Sequence, residues 1–471
     1  MAEKEKEIAQ LQTLLKRYPN DDVDICGVIL DYLGRTGESL YDVFELNKQI
    51  YHDLFDGDGI PGKELLECLI ESERDVDELS NRCHDMYTKV QNVLTHFAPT
   101  ARRGPEAQTE IHDLLSDPSK HLGYHVGAVI WQLSDIHFGK LNKQEGNPKE
   151  LACMVARISA DYPKLKPDFV VISGDVTSVA LPEEFDTFRL FCKTLGESVW
   201  GAEHPHRILV VPGNHDITWG LDGTADQMHG FIHNLADHNV CTTPFGPDEE
   251  TFPEDSIVIR RFNPNPATVP PFASVTCKEH DIELILLVSG YFSGQVPDEV
   301  QRLLKEANET QVELTNLLRV DEGAVNQEYL LSIAKSLSVP NASTRIGVIH
   351  HNPIQYGTER CANRLAPELL KTLRKNKVSL ILHGHTHFVE DPSFRPMGDR
   401  QAYPIPCPTL CSICTAGGRG MNVHMIGDAG STRKVSTVVW QISESSGFHA
   451  NLASLRYRIA LHEGDVTVQH F

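Results

Sequence analysis

Residues 208–216 read Ile208-Leu209-Val210-Val211-Pro212-Gly213-Asn214-His215-Asp216. An apolar run leads into a sharp turn and then into three chemically active side chains. A short continuous apolar run marks a strand buried on both faces, and the carboxyl ends of such strands are where open α/β sheets place their ligands. The same pattern recurs along the chain. Ala128 to Leu133 ends in Ser134-Asp135-Ile136-His137, and Phe169 to Ile172 ends in Ser173-Gly174-Asp175. Ile346 to Ile349 ends in His350-His351-Asn352-Pro353, and Ser379 to Leu382 ends in His383-Gly384-His385-Thr386-His387. Ile282 to Val288 is a further run of this kind. Helical segments separate the runs, so residues 123–471 read as one α/β domain.

Two stretches, at about 220–271 and 297–337, read as insertions over the sheet edge, the first Pro-, Asp- and Thr-containing with little periodicity and the second helical. From Val435 to Val468 apolar residues alternate, which predicts a closing β-sheet. Upstream, Ile8, Leu11, Leu14 and Leu15, then Val28, Ile29, Tyr32 and Leu33, then Leu65, Leu66, Leu69 and Ile70 recur at helical spacing. Residues 1–98 therefore read as a helical region, and 99–122, with Pro99, Arg102, Arg103 and Pro105, as a linker. Amphipathic helices bury their apolar faces on each other, on the catalytic domain or on a partner, so a regulatory or assembly role through a second copy or another protein is expected there. Asp56-Gly57-Asp58-Gly59 lacks the later ligands of a calcium loop and reads as a turn.

The chain has 471 residues, and 43 Lys+Arg against 65 Asp+Glu leave a net charge of -22. Such a surface repels phosphate backbones and anionic headgroups, which argues against duplex nucleic acid and membranes as partners. The 11 Cys residues have no repeating spacing, no apolar signal core follows Met1, and no apolar stretch approaches membrane-spanning length. A soluble cytoplasmic protein is expected.

Asp, Asn and His at successive strand ends are the donors that a pair of cations about 3.5 to 4 Å apart requires, with one carboxylate to bridge them. Asp135 and His137 are one residue apart, as are His385 and His387; both members of each pair face one side of an extended segment. Buried polar groups at these densities must be paired or hold metal.

In their order, Asp-x-His, Gly-Asp, Gly-Asn-His-Asp, His and Gly-His-x-His, these blocks resemble the calcineurin-like metallophosphoesterases. The resemblance covers about residues 126–424 and implies a four-layer α/β/β/α sandwich. It also implies two divalent or mixed-valence ions, drawn from Mn, Fe, Zn and Co. Carried over, Asp135, His137 and His387 bind the first ion, Asp175 bridges, and Asn214, His385 and a histidine of the fourth block bind the second. His351 is favoured over its neighbour His350, because His351-Asn352-Pro353 matches the family's His-x-Pro. His383 reads as a hydrogen-bonded histidine beside the site. Cys407, Cys411 and Cys414 read as packing beneath it.

Ser134 to Gly139, and Gly174-Asp175-Val176-Thr177 followed by Pro182-Glu183-Glu184-Phe185, look like the class III cyclic-nucleotide phosphodiesterase branch. The Gly-Asp-x-Val-Asp-Arg-Gly of protein Ser/Thr phosphatases is missing, which counts against a phosphoprotein substrate. The expected activity is hydrolysis of a small phosphodiester, such as a cyclic nucleotide, by a metal-bridging hydroxide. His215 would act as general acid toward the leaving alkoxide. Asp216 either orients His215 or caps a turn. The alternatives are a nuclease acting on DNA or RNA and a metal-binding scaffold with little activity.

Overall fold

Alternation along single strands decides the layering. In β1 (His125–Leu133), Ala128 and Ile130 face one core while Val129, Trp131 and Leu133 face another. In β2 (Phe169–Ile172), Phe169 and Val171 divide from Val170 and Ile172 in the same way. Side chains with a period of two that are apolar in both phases require cover on both faces of the sheet. The computed structural model describes residues 105–139, 147–218, 225–263, 269–292, 323, 325–353, 366–385, 403–410, 419–443, 447–448, 454–462 and 465–470. The helices expected over 1–98 and the turn at Asp56 to Gly59 lie outside these.

The first sheet runs in the order β15 (Asp465–His470), β14 (Ser454–His462), β12 (Thr432–Ser443), β11 (Arg419–Ala429), β1, β2 and β3 (Ile208–Val210), with β13 (Gly447–Phe448) paired to β12. The second runs β10 (Tyr403–Pro406), β9 (Val378–His383), β8 (Thr344–Val348), β7 (Ile282–Leu287), β6 (Phe272–Cys277), β5 (Ile257–Phe262) and β4 (Glu249–Phe252). Between the sheets, Ile130, Val171 and Leu209 meet Val275, Leu284, Val348 and Leu382. Each such burial contributes roughly 1.5 to 3 kcal/mol.

On the outer face of the first sheet lie α1 (Pro105–Ser116), α3 (Pro148–Asp161), α4 (Pro182–Trp200) and α5 (His229–Leu235), through Leu115, Val155, Phe188 and Phe231. The short α2 (Pro118–Leu122) connects α1 to β1. On the outer face of the second sheet, α6 (Gln327–Ser336) and α7 (Ala366–Lys375) pack through Tyr329, Ile333, Leu369 and Leu373. The layers are therefore α/β/β/α.

Three segments differ from the sequence reading. Residues 105–122, expected within a linker, form α1 and α2, and Ile111, Leu114 and Leu115 are buried in the core of the first sheet. Pro105 and Pro118 begin these helices, the position where a missing N–H costs nothing. Residues 249–262, within the expected insertion at 220–271, form β4 and β5 of the second sheet, because Ile257 and Ile259 alternate into the core between the sheets. The C-terminal strands extend the first sheet through β11 against β1 and do not form a separate one.

β1, β2 and β3 are mutually parallel. So are β7, β8, β9 and β10. Each set thus delivers its carboxyl ends to one edge. At the far end of the strands, Asp168 accepts from Val129 N (2.8 Å) and pairs with His280 Nε2 (3.1 Å) of the β6–β7 turn, pinning one sheet to the other.

Candidate metal centre

The ladder of β1 and β2 does not stop where the strands end. Asp135 N donates to Gly174 O (3.0 Å), His137 N to Asp175 O (2.9 Å) and Phe138 N to Val176 O (3.0 Å). These bonds hold the backbone in a conformation that L-residues avoid. Asp135 (φ 52°), His137 (φ 52°), Asp175 (φ 53°) and His385 (φ 68°) all lie in the left-handed region. Strain of this kind persists where surrounding structure over-determines it and concentrates at functional sites. Gly213 is required for a separate reason: a Cβ there would strike Asp175 Oδ1 and the Asp175 backbone.

Asp175 is buried, and its two oxygens face different neighbours. Oδ1 accepts from His215 N (2.9 Å). Oδ2 lies 3.3 Å from His350 Nε2 on one side and 3.8 Å from His137 Nε2 on the other. His350 Nε2 also stands 3.0 Å from Asn214 Oδ1 and 3.1 Å from His385 Nδ1. Donor atoms bound about 2.1 Å from a common ion are separated by roughly 3.0 to 3.4 Å, so this is the spacing of a coordination shell. His350 Nδ1 donates to Ser173 O (2.8 Å), which turns Nε2 inward. Asp135 receives His385 N on both oxygens (3.2 and 3.1 Å) and lies 4.0 Å from His137 Nε2.

His351, expected as the ligand, packs against His350 with ring centroids 4.9 Å apart. Its Nδ1 meets Ser289 Oγ at 2.8 Å, its ring packs 4.6 Å from that of His385, and it offers a ligand atom within 4.8 Å of those of His350 and His385. Both histidines are buried. His387 lies outside the described residues. His383 turns Nδ1 to Gly384 O (3.1 Å), and the Cys407 thiol donates to Gln132 O (3.3 Å).

His215 Nδ1 donates to Ser178 O (2.7 Å), so its tautomer leaves Nε2 to exchange protons. The His215 ring sits edge-to-face against His137, with centroids 4.8 Å apart. Asp216 does not orient it. Asp216 Oδ1 accepts from Thr177 N (2.8 Å) and Thr177 Oγ1 (2.9 Å), and Oδ2 accepts from Gly213 N (2.9 Å). It closes the turn and ties it to the loop after β2, the second of the two roles its sequence position allowed. Burial and the Asp175 carboxylate raise the Asp216 carboxyl to about 6.

Two residues without a sequence assignment support the site. Ser289, at the end of the Ile282 to Val288 run, anchors His351, and Thr409 Oγ1 donates to Asp135 O (2.8 Å). Ser289 carried the same signal as the other blocks, a polar residue ending an apolar run.

Charge tests whether these residues fit metal. Asp135 and Asp175 are fully buried carboxylates, and two buried negative charges in one cleft demand compensating positive charge. Burial pushes the Asp175 carboxyl up, but His350, His215 and His137 outweigh it and hold it well below the usual range. Burial would also lower His350, yet Asp175 and Asp135 raise it to about 9. The site thus draws positive charge to the atoms where ions would bind, and its donor set of carboxylate, amide and imidazole suits borderline divalent cations.

A four-layer sandwich with hard and borderline donors from both sheets meeting at the strand ends is the architecture of a metal-dependent hydrolase. Residues 128–389 match the calcineurin-like phosphoesterase family. That is more than half of the chain, and the protein belongs to this family. No curated protein matches the sequence. Among solved structures, PhoD is similar at 10% identity and a TM-score of 0.42, over 73% of this chain and 72% of that one. GAP50, the anchor in the inner membrane complex of Plasmodium, is similar at 15% identity and a TM-score of 0.36, over 70% and 89%. The calcineurin-like phosphoesterase YfkN from Bacillus subtilis is similar at 11% identity and a TM-score of 0.31, over 73% and 91%. Among the described residues, no helix is long and apolar enough to cross a membrane.

Proposed function

We propose that this chain is a two-metal phosphodiesterase acting on a small phosphodiester such as a cyclic nucleotide. Asp135 and His137, with His387, would hold one cation, Asn214, His385 and His350 the other, and Asp175 both. His350 replaces His351 in this set because its Nε2 is the imidazole nitrogen within 3.0 to 3.3 Å of Asn214, His385 and Asp175. Bound cations supply Lewis-acid neutralisation of the phosphoryl oxygens and a nucleophile ionised near neutral pH.

The observation that carries the reading is His215. Its Nδ1–H is committed to Ser178 O, and its ring stands beside His137, so Nε2 can deliver a proton to an alkoxide leaving from the centre. A phosphodiester with an alkyl leaving group needs that proton. The residues after Asp175 support a small substrate over a phosphoprotein. Where protein phosphatases carry Val, Asp and Arg, this chain has Thr177, Ser178 and Val179; Thr177 Oγ1 donates to His215 O (2.9 Å) and Ser178 Oγ donates to His137 O (2.7 Å), so both hydroxyls brace the site's own backbone.

A cytoplasmic location belongs to the same proposal and is supported by Cys153, Cys192, Cys241, Cys277 and Cys407, all unpaired. So does assembly through residues 1–98, which light scattering tests on the full chain against one beginning near Gly104.

The activity test assays the full chain, with Mn, Fe, Zn or Co, against 2′,3′- and 3′,5′-cyclic nucleotides, glycerophosphodiesters, an aryl monoester and single-stranded oligonucleotides. Metal-dependent turnover is expected to be fastest on a small diester. Faster cleavage of oligonucleotides would replace the proposal with a nuclease, and no turnover on any substrate would leave a binding scaffold.

A further inference from the structure

We propose that His204, His206 and Asp255 form a second, non-catalytic site for a borderline divalent cation such as Zn²⁺, which clips the two sheets together at the end away from the catalytic centre. His204 and His206 flank Pro205, immediately before β3. Asp255 ends the short turn between β4 and β5. β3 is the outer strand of the first sheet and β4 the outer strand of the second, so the three side chains join two sheet corners.

Their donor atoms converge on one point. His206 Nε2 and His204 Nδ1 both approach Asp255 Oδ2, the first in direct contact and the second at 3.9 Å. One donor atom from each residue lies within 4.8 Å of the others. The other carboxylate oxygen is engaged elsewhere, since Oδ1 accepts from the Arg207 guanidinium at 2.6 Å. That bond orients the carboxylate and presents Oδ2 alone, as an outer-shell partner of a metal ligand does. Two imidazoles and one carboxylate oxygen form a donor set that zinc accepts and that calcium and magnesium, which prefer oxygen, do not.

Both imidazoles are oriented in advance. His206 stacks on Phe252 with centroids 4.2 Å apart and planes 15° apart, and His204 sits edge-to-face on Trp200 at 5.9 Å. Trp200 is itself held by its Nε1 donating to Pro167 O (2.9 Å). Burial lowers the His206 imidazole, which favours the neutral form that ligates. His204 is 30% exposed, so a cation can enter from solvent. The guanidinium of Arg207 offsets the carboxylate's charge, so nitrogen donation carries the binding and selectivity follows imidazole affinity. The separation of His204 Nδ1 from Oδ2 needs to close by less than 1 Å to reach the roughly 3.0 to 3.4 Å of a shared tetrahedral shell.

The test counts metal in the full chain, independently of catalysis. The protein is stripped by chelation, loaded with Zn²⁺, freed of excess ion and analysed for zinc per chain, beside His204→Ala and Asp255→Asn. Both variants are expected to bind one zinc fewer than wild type, with phosphoesterase activity retained. The zinc-dependent rise in Tm is expected to be smaller in both. Asp255→Asn also disturbs Arg207, whereas the His204 side chain makes no hydrogen bond among the described residues, its carbonyl alone accepting from Arg207 N (2.9 Å), so His204→Ala keeps the test valid should the other variant misfold. Equal zinc content in wild type and His204→Ala would overturn the proposal and leave a hydrogen-bonded His206–Asp255–Arg207 group.

Discussion

The two sheets contribute unlike halves to the centre. The first supplies both carboxylates, the amide of Asn214 and the imidazole of His215, on loops whose backbones are bonded to one another beyond the strand ends. The second supplies imidazoles, His350 and His385. These reach the first half through His350, which contacts Ser173 O, Asn214 Oδ1 and Asp175 Oδ2, and through His385 N, which donates to Asp135. One half is thus a self-consistent cradle of carboxylate charge, and the other is a set of imidazoles brought to it by packing between the sheets. Losses in the first half are expected to remove the demand for metal, and losses in the second only part of its grip.

The largest effect belongs to Asp175, the carboxylate proposed to be shared. Asp175→Asn is expected to lose metal and hydrolysis together, read by elemental analysis and turnover, and retention of both would break the division of labour. On the other side, His350→Ala is expected to cost more metal affinity than His351→Ala. The latter removes an outer partner and should weaken affinity by about 10- to 100-fold. Equal or reversed losses in equilibrium metal titrations would return the ligand role to His351.

A smaller, chemically selective effect sharpens the first half. His215→Ala is expected to leave metal content near wild type and to slow alkyl diesters by about 10² to 10⁴, with much less effect on an aryl diester that needs no proton. Comparable losses on both substrates would remove it from the acid role.

The smallest effect concerns the packing that brings the halves together. Pairing with Asp168 raises the His280 imidazole. A group whose folded pKa exceeds its unfolded value contributes stability that is full below the unfolded value, about 6.5, and fades as pH rises through the folded one. Asp168→Asn should therefore cost about 0.2 to 1 kcal/mol at pH 6 and less at pH 9, measured by urea unfolding. A cost that does not vary with pH would separate the pin from titration.

Much of this was legible in the sequence, for reasons that also mark where legibility ends. Strands covered on both faces are continuous apolar runs, so those at 128–133, 169–172 and 208–211 end within a residue of the observed strands. Pairing between distant segments leaves no such trace. Alternation after Val435 showed strands, but nothing local says that β11 pairs with β1, some 290 residues upstream in register. Ile257 and Ile259 were hidden by flanking Pro and Asp residues, and Pro105 reads as a breaker until the helix it starts is seen. In the site, spacing identified the strand ends that carry the candidate ligands, but not how adjacent His350 and His351 are oriented. Their orientation is set by Ser173 and Ser289, which follow other strands.

The left-handed backbone at Asp135, His137, Asp175 and His385 has a consequence for any attempt to copy the centre in miniature. Each such residue carries about 1 to 3 kcal/mol of conformational cost, and its compensation lies in peptide groups of another segment. A synthetic peptide spanning 133–138 has the right side chains in the right order, yet on its own it would relax to extended or right-handed conformers and splay them apart. The smallest unit able to present this chemistry is therefore a pair of sheets. A scaffold built to imitate it would have to reproduce neighbouring strand ends before any ligand, or put glycine at those positions and give up the side chains that make the centre.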